Sequence, residues 1–468
     1  LVEQFEELLN LKKIVSVLSA MLTLAYLCFT ASVGAVEFTP PFDVNAKSVY
    51  FINLDTKSVI YEKNADLEQM PASIMTAVIV LENCKDPDNI TITADKKLYE
   101  EFEEYEYQDD LRYGEIWDGD ELTVTDYLYA MMLTSSCEAS NILAYYFGNQ
   151  NISAFVEMMN AKAKEIGAEH TVFANPHGLY DSKQVTTAKD MSLITQYALT
   201  VPGFEEIATA EEYEVHPKSY VTAHEDPWTW THSNIIMSAA SDFYVYGVKG
   251  IKTGNLQLSG RNIVTMGTYD GIKYLLVLLN APFYDENGNS KYYHIIDACN
   301  FMEWVFDNFE YKELLSEGEE IAEVKVENSD GNGYVLVKPE EDVSTLWYNE
   351  VDVTSIQKNI KLYDSVQAPV KKNQKLGEIE LKLSDEIIAN VDLVASSDID
   401  RSFVKFNLST AKDFFGSKWM KRAVWISLSL LLFYLAICIW AFVYAKRNPK
   451  GGLSNKKVVK KLYGNKRK

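Results

Sequence analysis

Three short segments carry side chains that could work on a substrate together. Ser73 follows Pro71-Ala72 and opens an apolar run, Ile74-Met75-Thr76-Ala77-Val78-Ile79-Val80-Leu81. Ser135 lies in Leu133-Thr134-Ser135-Ser136-Cys137-Glu138-Ala139, and Lys252-Thr253-Gly254 closes the stretch Gly250-Ile251-Lys252-Thr253-Gly254, with Asn255 next. A serine hydroxyl is a poor nucleophile until a base takes its proton. A lysine three residues further along one helix can do this, because residues three apart share a face. Burial among other cations helps such a lysine shed its own proton. A second serine can relay protons. A Lys-Thr-Gly strand can hold a substrate carboxylate through its lysine and pair its backbone with an extended substrate, its glycine leaving room for close approach. Backbone N–H groups of the nucleophile and of Asn255 can form an oxyanion hole. The chemistry this set would support is acyl transfer through a serine ester.

One member of the set is absent. Position 76, three residues after Ser73, is Thr76, and Lys85 is too far along the chain to replace a base there. His177 is expected to be a structural loop residue.

The elements that must position these residues follow from patterning. Ser48-Val49-Tyr50-Phe51-Ile52-Asn53, a turn at Asp55-Thr56, and Ser58-Val59-Ile60-Tyr61 read as a hairpin. Ser73 stands just before a helix expected to run to about Cys84, where a serine can act as a cap. Helical spacing recurs over 123–132, 140–147, 152–166 and 187–199. Strands are expected at 246–253, 261–269 and 272–279, the first two as antiparallel neighbours, and a helix at 293–309. Short strand candidates then follow at 322–327, 334–337, 343–347, 360–362, 376–383 and 387–393, the texture of a separate all-β region.

The 468 residues carry a net charge of −23. Residues 1–35 hold −1 and residues 418–468 hold +13, which leaves −35 on residues 36–417. Bulk charge of that sign excludes nucleic acid as a partner. Lys12-Lys13, an uncharged stretch to about Ala31 and Val33-Gly34-Ala35 read as an export signal with a cleavage site. Ala423 to Tyr444 has no charge and is long enough to span a bilayer. The tail beyond it has many lysines and no acid, which orients it to the cytoplasm. The cysteines outside these segments, Cys84, Cys137 and Cys299, suggest neither a disulfide framework nor a zinc site.

In order and spacing the three motifs resemble those of the D-alanyl-D-alanine carboxypeptidases, low-molecular-weight penicillin-binding proteins of bacterial cell walls. Phe173-Ala174-Asn175-Pro176-His177-Gly178-Leu179, Asp120-Glu121-Leu122-Thr123-Val124 and Gly247 to Gly254 support the likeness, as do Ala368-Pro369-Val370, Gly377 and Leu393-Val394-Ala395. The resemblance covers roughly residues 40–396. It implies an α+β fold: a β-lactamase/penicillin-binding-protein-like antiparallel sheet flanked by helices, then a small all-β domain and a C-terminal transmembrane helix. The expected organisation is a signal peptide over 1–35, a serine peptidase domain over 36–315, a β-rich domain over 316–396, a linker over 397–422, a transmembrane helix over 423–444 and a basic cytoplasmic tail over 445–468.

By the resemblance, Ser73 corresponds to the acyl-forming serine, Ser135 to the second-motif serine and Lys252 to the carboxylate-binding lysine, with Thr253, Gly254 and Asn255 beside it. Cys137 stands where the family has a substrate-orienting asparagine, and a thiol cannot both donate and accept as an amide does. The implied activity removes the terminal D-alanine from peptidoglycan stem peptides ending in D-Ala-D-Ala, with β-lactams as possible acylating ligands and no metal or organic cofactor. The alternative is a wall-binding protein that keeps the Lys252 pocket and lacks turnover, because the lysine base is absent.

Overall fold

The computed structural model describes residues 38–71, 73–221, 224, 227–383 and 386–447. The expected signal segment and most of the basic tail lie outside the described residues.

The first compact unit is built on a five-stranded sheet. Its strands are β1 (Ser48–Asn53), β2 (Val59–Lys63), β3 (Val248–Leu256), β4 (Gly260–Tyr269) and β5 (Ile272–Ala281), in the spatial order β2-β1-β5-β4-β3. All neighbours are antiparallel. The expected hairpin and the expected 246/261 pairing are both present, and β3, which carries Lys252, is an edge strand. Side chains alternate across a strand with a period of two. On β5, Leu275, Val277 and Leu279 enter one core while Tyr274, Leu276 and Leu278 enter the other. Both faces are covered, which is why this strand reads as an unbroken apolar run.

Helices α1 (Ile74–Asn83), α2 (Cys137–Phe147), α3 (Ile152–Glu165) and α4 (Ala188–Ala198) fill the first core, and α5 (Tyr293–Asn308) covers the opposite face. The expected helix over 123–132 is instead a short α-helix, Val124–Tyr129, which widens into a single π-turn at Ala130–Thr134. That turn ends on Ser135, whose φ of 65° is left-handed. Such π-turns appear often beside functional sites; here it fixes the direction in which the second motif leaves the helix.

Val343–Tyr348, expected among the strands of the β-rich region, pairs instead with Phe309–Leu315. Tyr348 packs its ring on Phe38 and Phe309, an apolar contact that strand periodicity alone does not reveal.

The second compact unit holds a six-stranded sheet in the order Ile356–Leu362, Lys375–Leu383, Glu386–Ala395, Tyr334–Pro339, Ala322–Glu327, Ser365–Gln367. Val335, Val337, Leu376, Ile379, Leu381 and Leu393 are buried in it. The segment expected as a linker contains a helix, α6 (Phe403–Gly416). A further helix, α7 (Lys418–Arg447), contains a candidate membrane span of 27 residues, Lys418–Tyr444, whose most apolar part is not buried against protein. It meets the length and composition needed to cross a membrane.

Candidate active site

All the residues singled out from sequence converge. Ser73, Ser135, Cys137, Lys252, Thr253, Gly254 and Asn255 line one pocket in the first unit.

Ser73 immediately precedes α1. Its ψ of 40° is not helical, and its side chain does not cap the helix. The expected capping role is therefore not realised. Among the described residues its hydroxyl has no hydrogen-bond partner, so the group is uncommitted within the pocket it lines. Gly178 sits against it: a Cβ on Gly178, whose φ is +80°, would lie 3.5 Å from Ser73 Cβ. A side chain there would be strained by backbone conformation and would crowd the serine.

Thr76 faces elsewhere. It is fully buried, and its hydroxyl donates to the Pro176 carbonyl oxygen at 2.6 Å. Position 76 is not part of the pocket lining. The non-helical turn at Ser73 explains why a residue three positions on does not share its direction.

Ser135 and Lys252 form the polar centre. Lys252 Nζ contacts Ser135 Oγ in a very short hydrogen bond and reaches the Thr253 carbonyl oxygen at 3.0 Å. Lys252 is only 2% exposed, and burial holds its pKa down at about 8, with the nearby Cys137 thiol opposing and the Arg112 cation reinforcing that shift. Removing an ammonium from water disfavours its charged form. A register shift in the β3–β4 ladder between Lys249 and Lys252 sets the lysine's direction; such bulges re-aim side chains.

Cys137 is the first residue of α2 and is buried. Its backbone N–H donates to the Arg112 carbonyl oxygen at 2.9 Å, and its Sγ lies 3.8 Å from the Ser135 carbonyl oxygen. Burial pushes the thiol up to about 12. It packs with Phe102, Leu111, Leu179 and Leu256, so it behaves as a small apolar side chain. Thr253 shares a hydroxyl hydrogen bond of 2.6 Å with Ser233. Gly254 approaches Asn262, where an added Cβ would stand 3.4 Å from the Asn262 side chain.

Sequence reasoning missed the loop residues around this centre. Asp110 and Arg112 line the pocket, and the Asp110 carboxylate accepts the Gln257 N–H at 3.0 and 3.2 Å, tying this loop to the end of β3. Ser233 N donates to the Leu133 carbonyl oxygen, and Asn234 Nδ2 donates to the Gly250 carbonyl oxygen at 2.5 Å. These two bonds fix the Ser135 segment relative to the strand of Lys252. No periodicity marks such residues, because their role is set by long-range contact. His177, expected as a loop residue, also lines the pocket; its Nδ1 accepts the Leu179 N–H at 3.2 Å and burial depresses its pKa to about 3. Behind the second motif, Glu138 is buried and accepts the Gly114 N–H at 2.6 Å.

Residues 35–283 match the family described as D-alanyl-D-alanine carboxypeptidase, and residues 309–401 match the C-terminal domain of penicillin-binding protein 5. The D-alanyl-D-alanine carboxypeptidase DacF of Bacillus subtilis is 26% identical over 375 residues, covering 79% of this chain and 90% of that protein. The crystal structure of the carboxypeptidase DacD from Francisella tularensis superposes with a TM-score of 0.56 at 19% identity, covering 78% of this chain and 96% of that one. Penicillin binding protein 5 from Haemophilus influenzae gives 0.55 at 21% identity, with 78% and 100% covered. At these identities the structural likeness establishes the fold, while the family match spans just over half of the chain. The chain belongs to the D-alanyl-D-alanine carboxypeptidase family, a family of serine-type hydrolases.

Proposed function

We propose that the protein removes the terminal D-alanine from peptidoglycan stem peptides ending in D-Ala-D-Ala, through an acyl-enzyme on Ser73. The observation that carries this reading is the convergence of Ser73, Ser135 and Lys252 on one pocket in a chain of this family. Ser73 Oγ attacks the carbonyl carbon of the penultimate D-alanine. The N–H groups of Ser73 and Asn255 meet the oxyanion that develops there. The edge strand β3 pairs with the extended peptide, with Gly254 allowing close approach. Lys252 and Thr253 face the substrate carboxylate, and Cys137 contributes shape to the site. The peptide C–N bond breaks, D-alanine leaves, and water hydrolyses the ester. β-Lactams, as strained amides, would acylate the same serine. The apolar helix Lys418–Tyr444 anchors the protein in the bilayer, with the peptidase unit outside and the basic tail in the cytoplasm.

A second reading rests on Thr76. With its hydroxyl committed to Pro176, position 76 supplies no base, and loss of a general base lowers rates by about 10²–10⁴-fold. The protein would then bind D-Ala-D-Ala termini at the wall without turnover. Release of D-alanine from a synthetic tripeptide ending in D-Ala-D-Ala separates the two. The carboxypeptidase reading expects release by the full-length protein and none by Ser73→Ala. Binding without release supports the second reading.

A further inference from the structure

We propose that Lys252, acting through the Ser135 hydroxyl, takes the proton of Ser73 and so stands in for the lysine absent from position 76. The inference rests on the carboxypeptidase reading above and assigns its proton path.

A base for Ser73 must line its pocket and carry a free electron pair at working pH. Five titratable residues line this pocket: Asp110, Arg112, Cys137, His177 and Lys252. The Asp110 carboxylate turns both of its oxygens toward the Gln257 N–H, at 3.0 and 3.2 Å, and has no contact with either serine hydroxyl among the described residues. An arginine does not deprotonate in proteins. The Cys137 thiol is buried in an apolar cluster and stays protonated. His177 spends Nδ1 on the Leu179 N–H, so its remaining nitrogen carries hydrogen and accepts nothing. Lys252 is left.

Its surroundings suit the task. Among the described residues no carboxylate pairs with Lys252; its contacts are the Ser135 hydroxyl and the Thr253 carbonyl oxygen. A neutral amine can donate to that carbonyl while accepting the Ser135 O–H. The charged groups facing it are unfavourable to an extra proton. Arg112 is cationic nearby, and His232, whose buried ring feels the lysine's charge, is held neutral at about 4. Cys137 stays protonated beside it.

The proton count closes. The Ser73 proton passes to Ser135 Oγ as the Ser135 proton passes to Lys252 Nζ, and Ser73 Oγ bonds to the substrate carbonyl carbon. When the tetrahedral adduct collapses, its C–N bond breaks. The leaving nitrogen takes the Ser135 proton, and Ser135 is refilled from the Lys252 ammonium. Water then loses a proton along the same path as its oxygen bonds to the ester carbon; the C–O bond to Ser73 breaks, and the proton returns from Lys252 through Ser135 to Ser73 Oγ. Because Lys252 is neutral when Ser73 attacks, the Arg112 cation and the Thr253 hydroxyl, both in the pocket lining, reinforce its hold on the substrate carboxylate.

The test is the second-order rate of acylation by a penicillin, measured on the full-length protein in detergent between pH 6 and 10. The rate for the native chain is expected to rise through about pH 8, where Lys252 loses its proton. Lys252→Arg keeps a cation that can hold a carboxylate but cannot become neutral; its rate is expected to fall by about 10²–10⁴-fold and to lose the rise. Ser135→Ala is expected to fall comparably. Near-ultraviolet circular dichroism checks that both variants keep the native fold. A native rate that is flat through pH 8 overturns the proposal without any variant. Acylation by Lys252→Arg within a few-fold of native overturns it and leaves the carboxypeptidase reading standing. No acylation of the native chain at any pH overturns both.

Discussion

The Thr76 hydroxyl, fully buried, donates to the Pro176 carbonyl oxygen at 2.6 Å, outside the lining of the pocket that Ser73 enters. The residue at the expected position of the base therefore serves packing: it ties α1 to the 173–179 loop, which in turn places Gly178 against the serine. Thr76→Val keeps the shape and removes the donor, leaving a buried carbonyl unpaired. The expected loss of stability is about 1–3 kcal/mol, read from urea unfolding midpoints. Thr76→Lys is expected to destabilise the fold further and to leave the rate of Ser73 acylation no higher than native, because this side chain points into the core.

Cys137 is expected to be chemically silent. Its thiol is buried and pushed up to about 12 by desolvation, so almost no thiolate exists at neutral pH. Iodoacetamide treatment of the native protein, followed by peptide mass mapping, should leave Cys137 unmodified, with labelling after denaturation. Rapid labelling in the native state would contradict the described packing.

Glu138 gives the fold a pH dependence of definite sign. Burial raises its pKa from 4.5 to about 7, against the opposing hydrogen bonds from Ser136 and from backbone N–H groups. The folded state thus holds the proton more tightly than the unfolded chain. The stability this contributes is complete below pH 4.5 and is lost as pH rises through 7. Glu138→Gln removes the titration and retains an oxygen for the Gly114 N–H. The variant should gain on the native protein by an amount on the order of 3 kcal/mol between those limits, measured as the difference in unfolding free energy at each pH. A constant difference across the range would rule out Glu138 as the titrating group.

Much of this was legible in the sequence, for identifiable reasons. Alternation in 48–61 marks a strand pair because the edge strand β2 buries only alternate side chains, and the apolar run of 272–279 marks a strand because β5 is covered on both faces. Ser73, Ser135 and Lys252 were legible because they sit in short motifs with local geometry, and the pocket gathers all of them. The direction of Thr76 was not legible: helix periodicity puts it on the face of Ser73, but the non-helical ψ at Ser73 separates the two. Arg112, Asp110, Ser233 and Asn234 were missed because each acts across a large sequence separation. The pairing of Val343–Tyr348 with Phe309–Leu315 was missed for the same reason, since strand patterning names a strand and not its partner.

The central claim is that Ser73 remains a working nucleophile. The most direct test is intact-mass detection of penicillin acylation on the full-length protein, with the adduct located by peptide mapping. The account predicts one adduct per chain, on Ser73, absent from Ser73→Ala. A native chain that stays unmodified under prolonged exposure, or an adduct that survives Ser73→Ala, would contradict it.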